Sequence, residues 1–235
     1  MGANAQTTVP TFSASQILTA EQMNQSARTG VPVVASTATR DACFGGAGEK
    51  TLAEGQLAYL EGSGLQAYNG TNWVTAGLDL IVAQTIGSGV SSVTVSNAFS
   101  SAYENYRITI SGGAGSTATR LNIVFGATTT GYYYAFQGTN YSAGTGASAF
   151  GSNVASIDYV GNVSTDSIIM NCDVFAPNLT KNTIVSGTLS QNATSGSVAV
   201  VGGYLANATA YTAFTIATAT GTITGGTIRV YGYRN

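Results

Sequence analysis

Histidine does not occur in this chain. Its absence removes the commonest general acid–base, the usual base of a nucleophilic triad and the commonest metal ligand. Charge of either sign is scarce: Asp, Glu, Lys and Arg make up 8% of the residues, against ~25% in ordinary soluble domains. The only lysines are Lys50 and Lys181, and the net charge is −2. Such a chain has no electrostatic footprint for nucleic acid or an anionic membrane, and neither is expected as a partner. Cysteine is limited to Cys43 and Cys172, with no Cys-x-x-Cys and no zinc-ligand spacing. Cys172 falls on the apolar side of the alternation Ile168, Met170, Cys172, Val174 and is expected as a small buried hydrophobe. Long apolar runs are missing as well. Nothing approaches the ~20 residues of a membrane span, and the N-terminus lacks a charged region followed by an apolar one, so neither membrane insertion nor secretion by the usual signal is expected.

Hydrophobic residues are ordinary at 44%, so polarity comes from Ser, Thr, Asn and Gly. That mixture suits sheets and tight turns better than helices. From Leu78 onward, short alternating runs recur between turn residues: Leu80–Ala83, Val90–Val95, Tyr106–Ile110, Leu121–Phe125, Tyr132–Phe136, Val154–Tyr159, Ser167–Phe175, Thr183–Leu189, Val198–Leu205, Tyr211–Ala217 and Thr227–Tyr233. This rhythm predicts an all-β fold, an antiparallel β-sandwich of jelly-roll or Greek-key type. The last run places Ile228 and Val230 on one face and Thr227, Arg229 and Tyr231 on the other. Its expected partner is Tyr103–Ile110, with Tyr106, Ile108 and Ile110 inward.

Three segments are expected. Residues 1–30 form a polar arm followed by one short helix. Thr19 is its N-cap with Gln22 completing a capping box, and Leu18 and Met23 are placed for a hydrophobic staple. A helix this short cannot stand alone in water and must dock, which makes Leu18, Thr19, Gln22 and Met23 candidate attachment residues. Residues 31–77 hold a small β-meander, legible as Leu57–Leu60, Leu65–Tyr68 and Trp73-Val74 around the turn Asn69-Gly70, a strong hairpin signal. Residues 78–235 form the sandwich. Two of its stretches break the rhythm: Ser111–Ser116, expected as a plain hairpin loop, and Gly131–Gly151, expected as a long aromatic-rich loop.

Rigid scaffolds present recognition residues on such loops. Tyr132, Tyr133, Tyr134, Phe136, Gln137, Asn140 and Tyr141 are therefore candidate ligand-binding residues, the rings for the C–H faces of sugars and the amides for hydroxyls. The competing reading has the tyrosines alternating between core and a subunit interface, where Tyr is enriched.

Two sets of segments resemble tailed-bacteriophage virion proteins of the minor tail or fibre type. One is Phe12–Asn24 with Glu54–Tyr59 and Leu65–Trp73, similar to their N-terminal parts. The other is Phe99 with Tyr103–Ile108, and Gly221–Gly232, similar to the first and last strands of a β-sandwich at their C-termini. The resemblance implies a virion location after assembly in the bacterial host cytoplasm, a β-rich fold and homotrimers, and carries over no catalytic residue.

The function expected is thus an oligomeric tail or fibre-type appendage. It attaches to other virion proteins through its N-terminal region, and its sandwich binds a host surface polysaccharide. The alternative is a capsid decoration protein or head fibre that stabilises or studs the shell. A polysaccharide depolymerase would need two carboxylates at a suitable separation. Asp158, Asp166 and Asp173 lie in one region and Glu49, Glu54 and Glu61 in another, none in a motif, while Asp41 and Asp79 have the look of turn residues. No enzyme activity, cofactor or metal is expected; no calcium-loop spacing of the EF-hand kind is present.

Overall fold

The computed structural model describes residues 31–44, 51–75, 77–192 and 196–233. The N-terminal arm, the helix expected from Thr19 and the attachment candidates Leu18, Thr19, Gln22 and Met23 lie outside these residues, as does Glu49. The chain divides into two compact units, with the boundary between Gly77 and Leu78.

The first unit is a four-stranded sheet in the order β1 (Val33–Val34), β2 (Leu57–Leu60), β3 (Gly64–Tyr68), β4 (Trp73–Thr75). The three later strands are the expected meander. The addition is β1, which runs parallel to β2 and is followed by a six-residue helix α1 (Thr37–Ala42). Ser36 caps that helix, its hydroxyl accepting from the Thr39 amide at 3.1 Å. Asp41 therefore sits at the helix end, not in a turn, and pairs with Arg40 at 2.7 Å. A single turn of helix carries too little periodicity to stand out in sequence. Val34, Cys43, Phe44 and Leu60 form the small core, with Leu52 and Trp73 packed on it. Arg40 is buried, donates to Gln66 Oε1 at 2.7 Å and lies 5.0 Å over the Trp73 ring. Asn69 closes the expected turn, its Oδ1 accepting from the Thr71 and Asn72 amides, and Gly70 takes the positive φ of 91° that such a turn requires.

The second unit is the all-β sandwich. Its strands are β5 (Leu78–Thr85), β6 (Ser92–Val95), β7 (Asn105–Ser111), β8 (Ala114–Gly115), β9 (Thr119–Phe125), β10 (Tyr132–Asn140), β11 (Gly146–Val154), β12 (Ile157–Val163), β13 (Ile168–Phe175), β14 (Thr183–Ser190), β15 (Ser197–Leu205), β16 (Phe214–Thr218), β17 (Ile223–Thr224) and β18 (Thr227–Tyr233). The large layer runs β5-β18-β7-β13-β14-β15-β10-β11 and the small layer β12-β9-β16-β6. They are continuous through β13, whose first residues pair with β12 before the strand passes between β7 and β14. All these pairings are antiparallel, and successive strands cross repeatedly from one layer to the other.

The C-terminal strand is the keystone of the large layer. β18 lies between β5 and β7, with Ile228 opposite Ile110 and Val230 opposite Ile108. The expected pairing and facing both hold: Tyr106, Ile108, Ile110, Ile228 and Val230 are all buried. β7 is, however, the third strand of the sandwich, since β5 and β6 precede it. Asp79 lies in β5, where it accepts from the Tyr103 hydroxyl at 2.6 Å, and is no turn residue. Inner faces of both layers share one core, including Phe99, Leu121, Ile123, Phe125, Cys172 and Phe214. Cys172 is the buried hydrophobe expected, and desolvation raises its thiol pKa far above the usual range.

Both irregular stretches differ from expectation. Gly131–Gly151 is mostly not loop but the long hairpin β10–β11. β11 reads Gly-Ala-Ser-Ala-Phe-Gly-Ser-Asn-Val, a run of small residues with little strand propensity of its own, held by its partner. Its last residue, Val154, separates from β12, so Val154–Tyr159 is not one strand. Within Ser111–Ser116, β8 pairs with β17. There the backbones of Gly113 and Gly225 approach so closely that a Cβ on Gly113 would meet the Gly225 carbonyl.

Candidate functional site

The run Tyr132-Tyr133-Tyr134-Ala135-Phe136-Gln137 lies on β10, where successive side chains take opposite faces. Tyr132 points inward and is fully buried. Its hydroxyl accepts from the Phe125 amide at 2.8 Å and donates to the Thr128 carbonyl at 3.3 Å. Burial pushes this phenol up to about 12. Phe136 is buried in a satellite cluster with Leu189 and Ala199 and stands 4.5 Å from the Tyr159 ring. Tyr134 packs against the main core and donates to Asp158 Oδ2 at 3.3 Å. Desolvation, then the charge and hydrogen bond of Asp158, raise it to about 12. Tyr132 and Phe136 are thus corrected from ligand residues to core, because the pleat turns them away from solvent, and Tyr134 offers only part of its ring.

Tyr133 is the aromatic member of the run that faces outward, on the same side as Ala135 and Gln137. It stacks on Tyr204 of β15, directly opposite, with centroids 5.1 Å apart and planes 12° from parallel. Tyr204 in turn lies opposite Ile184 of β14, and Ile184 opposite Phe175 of β13. Beside this row is a shallow open depression of about 660 Å³, lined among others by Tyr133, Ala135, Asn182, Ile184, Gly202 and Tyr204. Gly202 makes the opening: it is exposed in mid-strand, and a Cβ there would meet nothing within 4 Å. The two phenolic hydroxyls and the Asn182 amide have no hydrogen-bond partner among the described residues. The site therefore offers aromatic surface, aliphatic surface and uncommitted neutral hydrogen-bonding groups, and no charge.

The other candidates lie apart from it. Gln137 is exposed further along β10, opposite Val200. Asn140 builds the hairpin tip, its Oδ1 accepting from the Ser142 amide, the Ser142 hydroxyl and the Ala143 amide. Tyr141 is exposed and donates to Ser190 Oγ at 3.2 Å. Tyr204, Ile184, Asn182 and Gly202 were missed by sequence reading. Their signal was the alternation Val198, Val200, Gly202, Tyr204, which is hidden because both faces of β15 carry apolar residues.

Asp158, Asp166 and Asp173 are each engaged separately. Asp158 pairs with Arg120 at 3.0 Å and accepts from Ser156. Arg107 grips Asp173 through two hydrogen bonds of 2.9 Å, and Tyr233 donates to it at 2.6 Å. Asp166 accepts from Ser164 and Asn192. Among the described residues no three His, Cys, Asp or Glu side chains gather as a metal site, and no helix is long and apolar enough to cross a membrane. Compared with known protein families and with curated proteins, the chain matches none of either.

Proposed function

We propose that the protein is a structural component of a tailed-bacteriophage virion, an oligomeric tail or fibre-type appendage attached through its N-terminal region. Its sandwich takes a neutral host-surface glycan in the Tyr133–Tyr204 depression. The observation that carries the ligand half is the outward stacked tyrosine pair beside an uncharged, open floor. Sugar rings present C–H faces to aromatic surface and hydroxyls to amides and phenols, and a shallow site of this kind holds one ring weakly. Copies on one particle then act together, so affinity comes from multivalency more than from any single contact. The virion half is supported by the resemblance of Tyr103–Ile108 and Gly221–Gly232 to strands of virion sandwiches. In this fold those segments fall largely on β7 and β18, neighbours in one sheet. The low charge agrees with it, since a chain whose sides are covered by neighbours has less need of a charged surface.

Two experiments test the halves separately. Gold-labelled antibody against the chain should decorate the tail of purified particles. Labelling of the head would favour the decoration reading instead, and no labelling would overturn the virion reading. The full chain should also bind surface polysaccharide purified from the bacterium those particles infect. Tyr133→Ala and Tyr204→Ala should each weaken that binding about tenfold or more, as loss of an aromatic anchor does. Binding unchanged in both variants would remove the depression as the site.

A further inference from the structure

We infer that the outer face of β14, β15, β10 and β11, with the free edge of β11, is the surface on which a second copy of this chain docks. The inference deepens the oligomeric part of the reading above and rests on it, but does not depend on a virion location. Its starting point is where the charges are. No Asp, Glu, Lys or Arg occurs between Arg120 and Asp158, and none between Lys181 and Arg229. Those two gaps contain all of β10, β11, β14 and β15, and the sheet order brings these four strands side by side as β14-β15-β10-β11. Two stretches separated in sequence thus assemble one uncharged face.

Three large apolar side chains on that face stand in solvent among small polar neighbours such as Gln137, Thr139 and Thr188. Phe150 is 81% exposed, Val200 58% and Val198 51%. Val200 stands opposite Gln137, Val198 opposite Thr139, and Phe150 opposite Ala135. Large apolar side chains this exposed on an uncharged face point to an interaction site. The edge adds to it: among the described residues β11 ends the sheet order and pairs with β10 alone. Edge strands that stay free are ordinarily protected by Lys, Pro, an inward charge or a bulge; β11 has only an irregularity near its end, between Gly151 and Val154, and no Lys, Pro or charge along Gly146–Phe150.

The charge pattern selects the occupant. A face of zero charge meets its own copy with no like-charge repulsion and no ion to desolvate, whereas a charged partner would find nothing to pair with. The Tyr133–Tyr204 depression borders this surface: Ala135, which lines it, stands opposite Phe150, and Gly202 is two residues from Val200. Tyr204 is roughly 13 Å along β15 from Val200, at ~3.3 Å per residue.

The test is the mass of the full chain in solution, by light scattering, for wild type, Val200→Asp, Val198→Asp and Tyr204→Ala. Wild type is expected as an oligomer at micromolar concentration. Each aspartate, on an exposed position, should leave the far-UV spectrum and Tm unchanged and weaken assembly by roughly 100-fold, the effect of burying one unpaired charge. Tyr204→Ala should keep the oligomer. As a check that needs no loss of assembly, Phe150→Cys should yield copies cross-linked through residue 150 by a short bis-maleimide. A monomeric wild type would overturn this inference together with the oligomeric reading. An oligomer untouched by both aspartates, and not cross-linked through residue 150, would overturn the inference alone.

Discussion

The large layer of the sandwich has two halves that share one inner face and differ on the outer one. Across β7, β13 and β18 the outer side chains are tied to one another. Arg107 holds Asp173, Tyr233 donates to the same carboxylate, and Arg229 donates to Ser111 Oγ at 3.1 Å. Across β14, β15, β10 and β11 there is no charge to tie, and Phe150, Val198 and Val200 stand in solvent. The first half satisfies its polar groups within one chain. The second resembles half of an interface, apolar at its centre and unfinished at its edge. Burial and partnering differ together: the outward residues of β7 and β18 are mostly half-buried and hydrogen-bonded, whereas those of β14 and β15 are mostly exposed.

The largest expected effect lies beneath the uncharged half. Tyr132→Ala removes a fully buried ring that pins the Phe125 amide and should cost about 3–5 kcal/mol, read as a fall in Tm or in denaturant midpoint. A loss comparable to that of a surface substitution would mean that β10 is not the inner wall described. Asp173→Ala in the charged half comes next. It leaves Arg107 and Tyr233 without their common acceptor and should cost about 1–3 kcal/mol, with assembly unchanged. If assembly fails instead, the two halves do not divide as argued. Tyr133→Ala, adjacent in sequence to Tyr132, should cost only about 0.5–1.5 kcal/mol of stability, the stacking with Tyr204, while weakening glycan binding about tenfold or more. That pair of neighbours, one structural and one functional, sharpens the contrast between faces.

The smallest effects are those of pH, and they run in opposite directions. Burial by itself would raise the Asp173 carboxyl, but the Arg107 and Tyr233 hydrogen bonds and the Arg107 charge outweigh it and hold the group below the usual carboxylate range. The folded state therefore keeps Asp173 ionised where the unfolded chain, near pKa 3.9, takes up a proton. Stability from this cluster is present above about pH 4 and is lost as pH falls through the lowered value. At the other end, an unfolded phenol loses its proton near 10, whereas Tyr134 holds its proton to about 12. Between those values the folded state binds more protons, so stability falls as pH rises through them. Tyr134→Phe should flatten the alkaline limb of a Tm–pH curve, and Asp173→Asn the acid limb. Limbs unchanged in both variants would contradict these assignments.

Much of the sandwich was legible because its inward residues are large and strictly alternating. Tyr106, Ile108 and Ile110 against Ile228 and Val230 define both strands and their facing. The same signal fails for β11, where Ala147, Ala149 and Gly151 are too small to mark a buried side, and for α1, where six residues make less than two turns. The triple tyrosine shows the limit for the site. A period of two sends Tyr132 and Tyr133 to opposite faces, as the reading with tyrosines alternating between core and a subunit interface expects of their facing. Which tyrosine faces out follows only once the register with β15 is fixed, and that register also brings Tyr204, Gly202 and Ile184 beside it.

The central claim is that the uncharged half is finished by another copy of the chain. Amide hydrogen exchange over Gly146–Val154 reads it directly, since among the described residues the outer amides of β11 have no strand to donate to. At high protein concentration these amides should exchange slowly, and on dilution below the assembly constant they should open while β7 and β18 stay protected. Fast exchange along β11 at every concentration would contradict the claim.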